Sequence, residues 1–398
     1  MRDVFEAIVG SGHVEWPISM RLAGARVLAI VRPANAQEVA ACLRAASDAG
    51  TALVAFGSGS RQHFGNPLDA PACIRLELGR IAEQIEVDGD EGIATLDAGA
   101  RLGELARRAA ACGKTTVLGD LPPDGTLGGA LSADPFGPDW TLDRRLRNEV
   151  LGVEIALANG ELTTAGGRVV KNVTGFDLVR LYCGSLGTLG VVTRATLRLR
   201  AAPECERLVR AHFSSFEVGV AAFARAAISA EPAAAALLPD ASGVALLCRF
   251  AGDTRATELQ AARVPGEEVP IELWTRLRAG IAAPPVGGRA RARLSARPSD
   301  VAELCRSSVD ETGGGALCGV FPLAGSIVVD VEDAALPRLA AVAERLDAVL
   351  VAERAPGAGA APCDVFGTPP SSLALMRAVK ARFDPRRVLA PGRFVGRI

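Results

Sequence analysis

Residues 57–61, Gly57-Ser58-Gly59-Ser60-Arg61, carry the groups that a phosphate needs. Glycine permits a sharp turn and a close approach of peptide N–H groups, the two serine hydroxyls add donors, and Arg61 adds charge. A diphosphate is the chemistry these five residues suit. Two more glycine-bearing segments follow. Pro122 to Ser132 (PPDGTLGGALS) combines stiffening prolines with glycines that leave space for a ring system or a pyrophosphate, and it nominates Pro122, Thr126, Gly128, Gly129 and Ser132. Gly166 to Val192 (GGRVVKNVTGFDLVRLYCGSLGTLGVV) contributes Lys171 and Asn172 as polar groups. It also contributes Gly187, Gly190, Val191 and Val192 as a bend against which a flat polar ligand can lie. Asp177 reads equally well as the cap of a helix over 178–182.

The elements that must position these residues are short. A helix is predicted over 33–50, with Pro33 and Asn35 at its start and Gly50 as terminator, leading into an apolar strand at 53–56. Strands follow at 74–78, 85–87 and 93–97, and a helix over 102–112 closes at Gly113. Asn159-Gly160 marks a hairpin between 150–158 and 161–164, and the 187–190 bend feeds a strand ending near Leu199. A Rossmann reading fails, because no third glycine opens a helix after 57–59 and Phe64-Gly65-Asn66-Pro67 breaks one. The fold class is α+β. Residues 205–355 show a strand, a helix and two strands twice, at 207–213, 216–229, 234–238 and 243–250, then at 290–295, 299–312, 316–322 and 326–331. A further helix at 336–346 and strand at 349–352 follow, and the rhythm is that of a ferredoxin-like sheet.

Composition narrows the function classes. A formal net charge of −1 and 49% hydrophobic content describe an ordinary globular protein. Of 44 Lys and Arg residues only Lys114, Lys171 and Lys380 are lysine, and no basic tail is present, which argues against nucleic acid as a partner. The nine cysteines contain no CxxC pair, so zinc or iron–sulfur ligation of that type is excluded and free buried thiols are expected. Charges at positions 2, 3 and 6 interrupt the N-terminus, which does not read as a secretion signal. A cytoplasmic location is expected, with at most peripheral membrane contact through partners.

The order of the three glycine segments resembles the FAD-binding domain of the vanillyl-alcohol oxidase and p-cresol methylhydroxylase superfamily: a strand and phosphate loop, then TLGGALS, then KNVTGFDL and GSLGTLGVVT. Within that superfamily the chain is most similar to the FAD-binding accessory subunits of bacterial glycolate oxidases. The stretch 375–394, LMRAVKARFDPRRVLAPGRF, adds to the resemblance, which is dense over 33–200 and 375–395. It implies an N-terminal segment at 1–32 and a PCMH-type FAD-binding domain of two α+β subdomains at 33–200. A reduced ferredoxin-like α/β cap at 205–365 follows, and then a segment at 366–398 that returns to the FAD domain. It also implies FAD as cofactor, with Lys171 near the flavin N1–C2=O edge. Many relatives carry a histidine directly after the second loop glycine that is joined covalently to the flavin. Ser60 stands there and His63 three residues on, so noncovalent FAD is expected.

The resemblance further implies partners, a homologous catalytic FAD subunit and an iron–sulfur subunit. Catalytic members that oxidise 2-hydroxy acids carry cap histidines and acidic residues for a divalent metal and the substrate. This chain has only His13, His63 and His212, with none in its last 186 residues, and Ala390 replaces an asparagine frequent before Pro391-Gly392. The expectation is therefore an FAD-carrying subunit of a glycolate oxidase-type complex with no catalytic residue assigned and no metal. Asp330, Glu332 and Asp333 leave open a metal held by carboxylates alone. An independent flavin oxidoreductase on another hydroxylated substrate, and a flavin-free scaffold, are the alternatives.

Overall fold

The computed structural model describes residues 1–141, 144–168, 177–312, 316–355, 361 and 363–398. They form two compact units. The first is Met1–Pro135, Leu146–Ala201 and Pro369–Ile398, and the second is Phe136–Arg145 and Ala202–Thr368. Residues 1–32 thus do not stand apart, because Phe5 and Val9 are buried in the same core as Leu43, Leu53 and Ile74.

In the first unit, β1 (Ala25–Val31), α1 (Ala36–Asp48), β2 (Ala52–Phe56) and β3 (Ala72–Glu77) build a mixed sheet in which β1 and β2 both run parallel to β3 between them. Asn35 starts α1 by accepting from the Glu38 N–H at 2.9 Å, while the Glu38 carboxylate accepts from the Ala34 N–H at 2.8 Å. This reciprocal cap fixes the helix start. Val39, Cys42, Leu43 and Ala46 then face the core at helical spacing.

A second sheet is antiparallel throughout, in the order β7-β6-β8-β5-β4, from β4 (Ile85–Asp88), β5 (Ile93–Asp97), β6 (Val150–Ala156), β7 (Leu162–Gly166) and β8 (Val191–Arg198). The β6–β7 hairpin forms, but not as a two-residue turn. The Leu157 N–H donates to the Glu161 carbonyl at 2.9 Å and Gly160 alone takes a left-handed φ of 78°, which adds one residue to the loop. Helices α2 (Leu102–Ala111), α3 (Leu127–Ala133) and α4 (Leu178–Tyr182) connect these strands. Asp177 is the α4 cap, its side chain accepting from the Arg180 N–H at 3.3 Å.

The second unit is one antiparallel sheet of eight strands among the described residues, in the order β12-β9-β11-β10-β14-β15-β13-β16. Its first half is β9 (Cys205–Phe213), α5 (Phe216–Ala230), β10 (Ala234–Asp240), β11 (Gly243–Gly252), α6 (Thr254–Ala261) and β12 (Glu267–Val269). After α7 (Glu272–Ala282) the second half repeats it as β13 (Arg289–Ser295), α8 (Val301–Thr312), β14 (Ala316–Phe321), β15 (Ser326–Glu332), α9 (Leu336–Arg345) and β16 (Val349–Arg354). Each half is a complete βαββαβ ferredoxin-like unit. Leu237 of β10 pairs with Val320 of β14 and joins the two edges. The sequence shows the βαββ motif twice, with the closing helix and strand of the second copy, and leaves α6, β12 and α7 unassigned.

Segment 136–145 belongs to this unit because of Asp139. Its buried carboxylate accepts from Arg249 Nη1 at 2.9 Å, from Trp274 Nε1 at 3.0 Å and from Arg278 through both Nε and Nη2. Burial pushes the Asp139 carboxyl up, but the hydrogen bond and charge of Arg278, with the charge of Arg249, outweigh it and hold it below its ordinary 3.8. Among the described residues no helix is long and apolar enough to cross a membrane.

Replacing the carboxylate with a neutral amide leaves buried Arg249 with Glu206 as its remaining counter-charge and takes the two-point carboxylate contact away from half-buried Arg278. Asp139→Asn should cost the second unit about 3 kcal/mol or more, read as a lower urea midpoint. The wild-type contribution should be present above the ordinary carboxylate value and disappear as pH falls through the lower native one. An unchanged midpoint would show that the arginines find other partners.

Candidate cofactor site

The first wall of the site is the turn after β2. Gly59 has a φ of 83°, and a Cβ there would lie 2.6 Å from Phe56 Cζ. Arg75 in turn stacks on the Phe56 ring, 3.5 Å from its centroid. Gly57 is tighter still, since a Cβ would sit 2.1 Å from Thr126 Oγ1. Only a hydrogen side chain fits at either position. Ser58 Oγ lies 3.3 Å from Ser60 Oγ. Among the described residues no group accepts a hydrogen bond from the N–H of Ser58, Gly59 or Ser60. Those amides remain for a ligand.

The second wall is α3, which Thr126 caps. Its first amides are already engaged: Leu127 N–H donates to the Ala100 carbonyl at 3.0 Å, Gly128 N–H to Ala98 at 2.8 Å and Gly129 N–H to Thr126 Oγ1 at 3.4 Å. The start of α3 therefore has no amide left for an anion, whereas the 57–61 turn has three. A Cβ on Gly128 would stand 3.1 Å from Ala98 Cβ, so the glycine serves helix-to-strand packing. The last turn of α3 holds the third wall, with Leu131 and Ser132 carbonyls accepting from the N–H groups of Gly184 and Leu186, both at 2.9 Å. Gly187 continues at φ 71°, and a Cβ on Gly190 would lie 2.4 Å from Ile155 Cγ2.

The C-terminal stretch locks these walls. On α10 (Leu373–Phe383), the buried Lys380 ammonium donates to the Thr188 carbonyl at 2.7 Å, the Asp384 carboxylate at 2.6 Å and the Leu389 carbonyl at 2.8 Å. An ammonium has three N–H bonds, and all three are used. Burial lowers the Lys380 pKa, and Asp384 opposes the shift. Residues 388–390 then run beside β2, with Leu53 N–H donating to Val388 at 2.7 Å and Ala390 N–H to Leu53 at 2.9 Å. Ala390 takes a φ of 40°, a left-handed value that asparagine adopts at less cost.

Together these segments enclose a cleft of about 740 Å³, counted out to its mouth. Of the residues singled out in the sequence, Gly57, Ser58, Gly59, Ser60, Arg61, Thr126, Gly128, Gly129, Ser132, Gly187, Gly190, Val191 and Val192 line it. Pro122 does not. Its carbonyl accepts from the Gly125 N–H at 2.9 Å, so it shapes the turn that delivers Thr126 and stays off the wall. Lys171 and Asn172 lie outside the described residues. The sequence reading missed Gln62, Leu78, Ala98, Leu186 and Arg393, which also line the cleft. His63 is in the turn beyond the loop and is not part of the lining.

The lining fits FAD. Among the described residues it holds two arginines and no carboxylate, which suits an anionic diphosphate, and it offers the apolar Val54, Leu78, Val191 and Leu186 to a ring system. Thiol chemistry has no place here. Burial pushes Cys42, Cys183, Cys248 and Cys305 to about 12 and Cys73 and Cys318 to about 11. Cys112, expected buried, is exposed on the surface.

Known proteins agree with this geometry. Residues 27–166 match the FAD binding domain family. D-lactate dehydrogenase of Archaeoglobus fulgidus is 32% identical over 170 residues, which is 43% of this chain and 38% of that protein. Glycolate oxidase subunit GlcD of Bacillus subtilis is 29% identical, over 48% of this chain and 40% of that one. Glycolate oxidase subunit GlcE of Escherichia coli is also 29% identical, over 57% and 64%. The chain spans about two fifths of the length of the first two. Among solved structures, substrate-bound p-cresol methylhydroxylase has the same fold, with a TM-score of 0.74 at 16% identity, covering 98% of this chain and 95% of the other. Residues 27–166 thus carry an FAD binding domain, the chain shares the fold of p-cresol methylhydroxylase, and FAD is the cofactor.

Gly59→Val tests the first wall. The positive φ alone costs a branched side chain about 1–2 kcal/mol, and the clash with Phe56 adds to it. Bound FAD in the purified protein should fall at least roughly tenfold while the circular dichroism spectrum is retained. Wild-type flavin content in the variant would remove the 57–61 turn from the site.

Proposed function

We propose that this chain is the noncovalent FAD-carrying subunit of a glycolate oxidase-type 2-hydroxy-acid dehydrogenase. It works beside a homologous substrate-oxidising flavoprotein and an iron–sulfur subunit. The observation that carries the reading is a cleft made from all three glycine segments that presents Ser60 where many relatives carry a tethering histidine. The names of the similar GlcD and GlcE proteins support the class of complex. Bound FAD would supply the capacity to take up and pass on electrons. The chain's own work is to hold it: N–H groups of the 57–61 turn and Arg61 at the diphosphate, and Gly187 to Val192 with Leu78 along the apolar part.

The second unit gives the reading its other half. Its one histidine, His212, is bound through Nδ1 to Asp240 at 2.8 Å. The acidic run on β15 and just after it is committed to arginines. Asp330 pairs with Arg291 at 2.8 Å and Glu332 with Arg289 at 3.7 Å, while Asp333 pairs with Arg354. Among the described residues no group of three His, Cys, Asp or Glu side chains is placed to hold a metal. A general base for a 2-hydroxy acid is accordingly sought on the partner flavoprotein.

Two measurements test this. Acid precipitation of the purified yellow protein should leave all flavin fluorescence in the supernatant, and fluorescence on the pellet would mean a covalent link. Anaerobic mixing with glycolate, D-lactate or 2-hydroxyglutarate should bleach the flavin band slowly or not at all until the partner subunits are added. Full bleaching by the isolated chain at a catalytic rate would make it the dehydrogenase.

A further inference from the structure

Arg393 is a buried cation without a carboxylate. The residue is 5% exposed, yet it borders the cofactor cleft. Nη1 donates to the Asn66 carbonyl at 3.0 Å, and Nη2 donates to the carbonyls of Gln62, at 3.0 Å, and Phe64. These three acceptors are neutral, and no carboxylate among the described residues pairs with it. The chain closes tightly over this group. Gly65, at φ 96°, passes so near that a Cβ would lie 2.9 Å from the Arg393 carbonyl and 3.4 Å from Cζ. The Asn66 N–H returns to the Arg393 carbonyl at 2.9 Å and Asn66 Nδ2 to Phe394 at 3.1 Å.

Carbonyl dipoles stabilise a guanidinium only in part, and a buried charge with no counterion costs several kcal/mol. That cost is relieved when an anion arrives in the same low-dielectric space. The free amides of Ser58, Gly59 and Ser60 open into the cleft that Arg393 borders, on the turn whose continuation it holds. We propose that Arg393 is a cofactor-positioning residue: it fixes 62–66 so that the 57–61 amides converge, and its counterion is the diphosphate of FAD. Desolvation, with the like charge of Arg397, lowers its pKa to about 10, so the group is charged at neutral pH and has something to gain from an anion.

The inference rests on the reading that this cleft holds the diphosphate, and the test separates the two. Apoprotein is titrated with FAD, with ADP and with riboflavin, which lacks the diphosphate, for wild type, Arg393→Met and Arg393→Lys. Wild type should bind FAD and ADP competitively. Arg393→Met should weaken both at least about tenfold, as expected for a lost charge-assisted contact, and leave riboflavin within about twofold. Arg393→Lys, which keeps the charge, should recover most of the loss, whereas a purely structural role would weaken all three ligands alike in both variants. If Arg393→Met does not fold, Arg393→Gln carries the same comparison. Equal FAD affinity in wild type and the neutral variant, or equal losses for FAD and riboflavin, overturns the proposal. No competition between ADP and FAD in wild type overturns the cleft assignment itself.

Discussion

A closed circuit of backbone contacts, completed by two buried cations, is the constraint on which the cofactor cleft depends. Gly57 packs against Thr126, α3 hands its last carbonyls to Gly184 and Leu186, Lys380 ties Thr188 to Leu389, and Arg393 ties the same stretch back to Gln62, Phe64 and Asn66. Each loop alone would lose about 1–2 kcal/mol of backbone freedom per residue on ordering. Charge-assisted hydrogen bonds of about 1.5–3 kcal/mol each offset that loss where no apolar side chain is available to do so.

How much of this was legible follows from the physics of each part. The glycine segments read clearly because glycine is required wherever two backbones or a backbone and a ring come within a Cβ's reach, as at Gly57, Gly59 and Gly190. Helix α1 read clearly because its cap and its apolar spacing are local. Read in order, those backbone requirements bring parts of all three segments to one cleft. Pro122 was misplaced because proline signals a turn without saying which side of it faces the cavity. Arg393 was missed because its partners lie about 330 residues earlier in the chain, at Gln62, Phe64 and Asn66. Nothing local in PGRF distinguishes a buried guanidinium from a surface one.

The second unit shows the same division. Its βαββ rhythm was visible because β9, β11, β13 and β15 alternate or run apolar. Strand β12 was not, since Glu267-Glu268-Val269 has two exposed glutamates that pair with Arg210 and Arg207 of β9. Several of the chain's arginines serve such pairs. A planar fork can satisfy one carboxylate and several carbonyls at once, as Arg291 does with Asp330 and the carbonyls of Gly280, Ile281 and Ala283. A compact ammonium appears where three acceptors surround one point, and there the chain uses Lys380.

The route of the chain has a consequence for synthesis. The first unit is interrupted by residues 202–368, so β2, α3 and β8 emerge from the ribosome long before Lys380 and Arg393 do. Domains generally form as their residues become available. The second unit, apart from 136–145, is one uninterrupted run and can close first, while the glycine turns wait without their cations. Flavin loading then waits for Lys380 and Arg393, and a chain cut short before residue 380 would carry all three glycine segments and none of the colour.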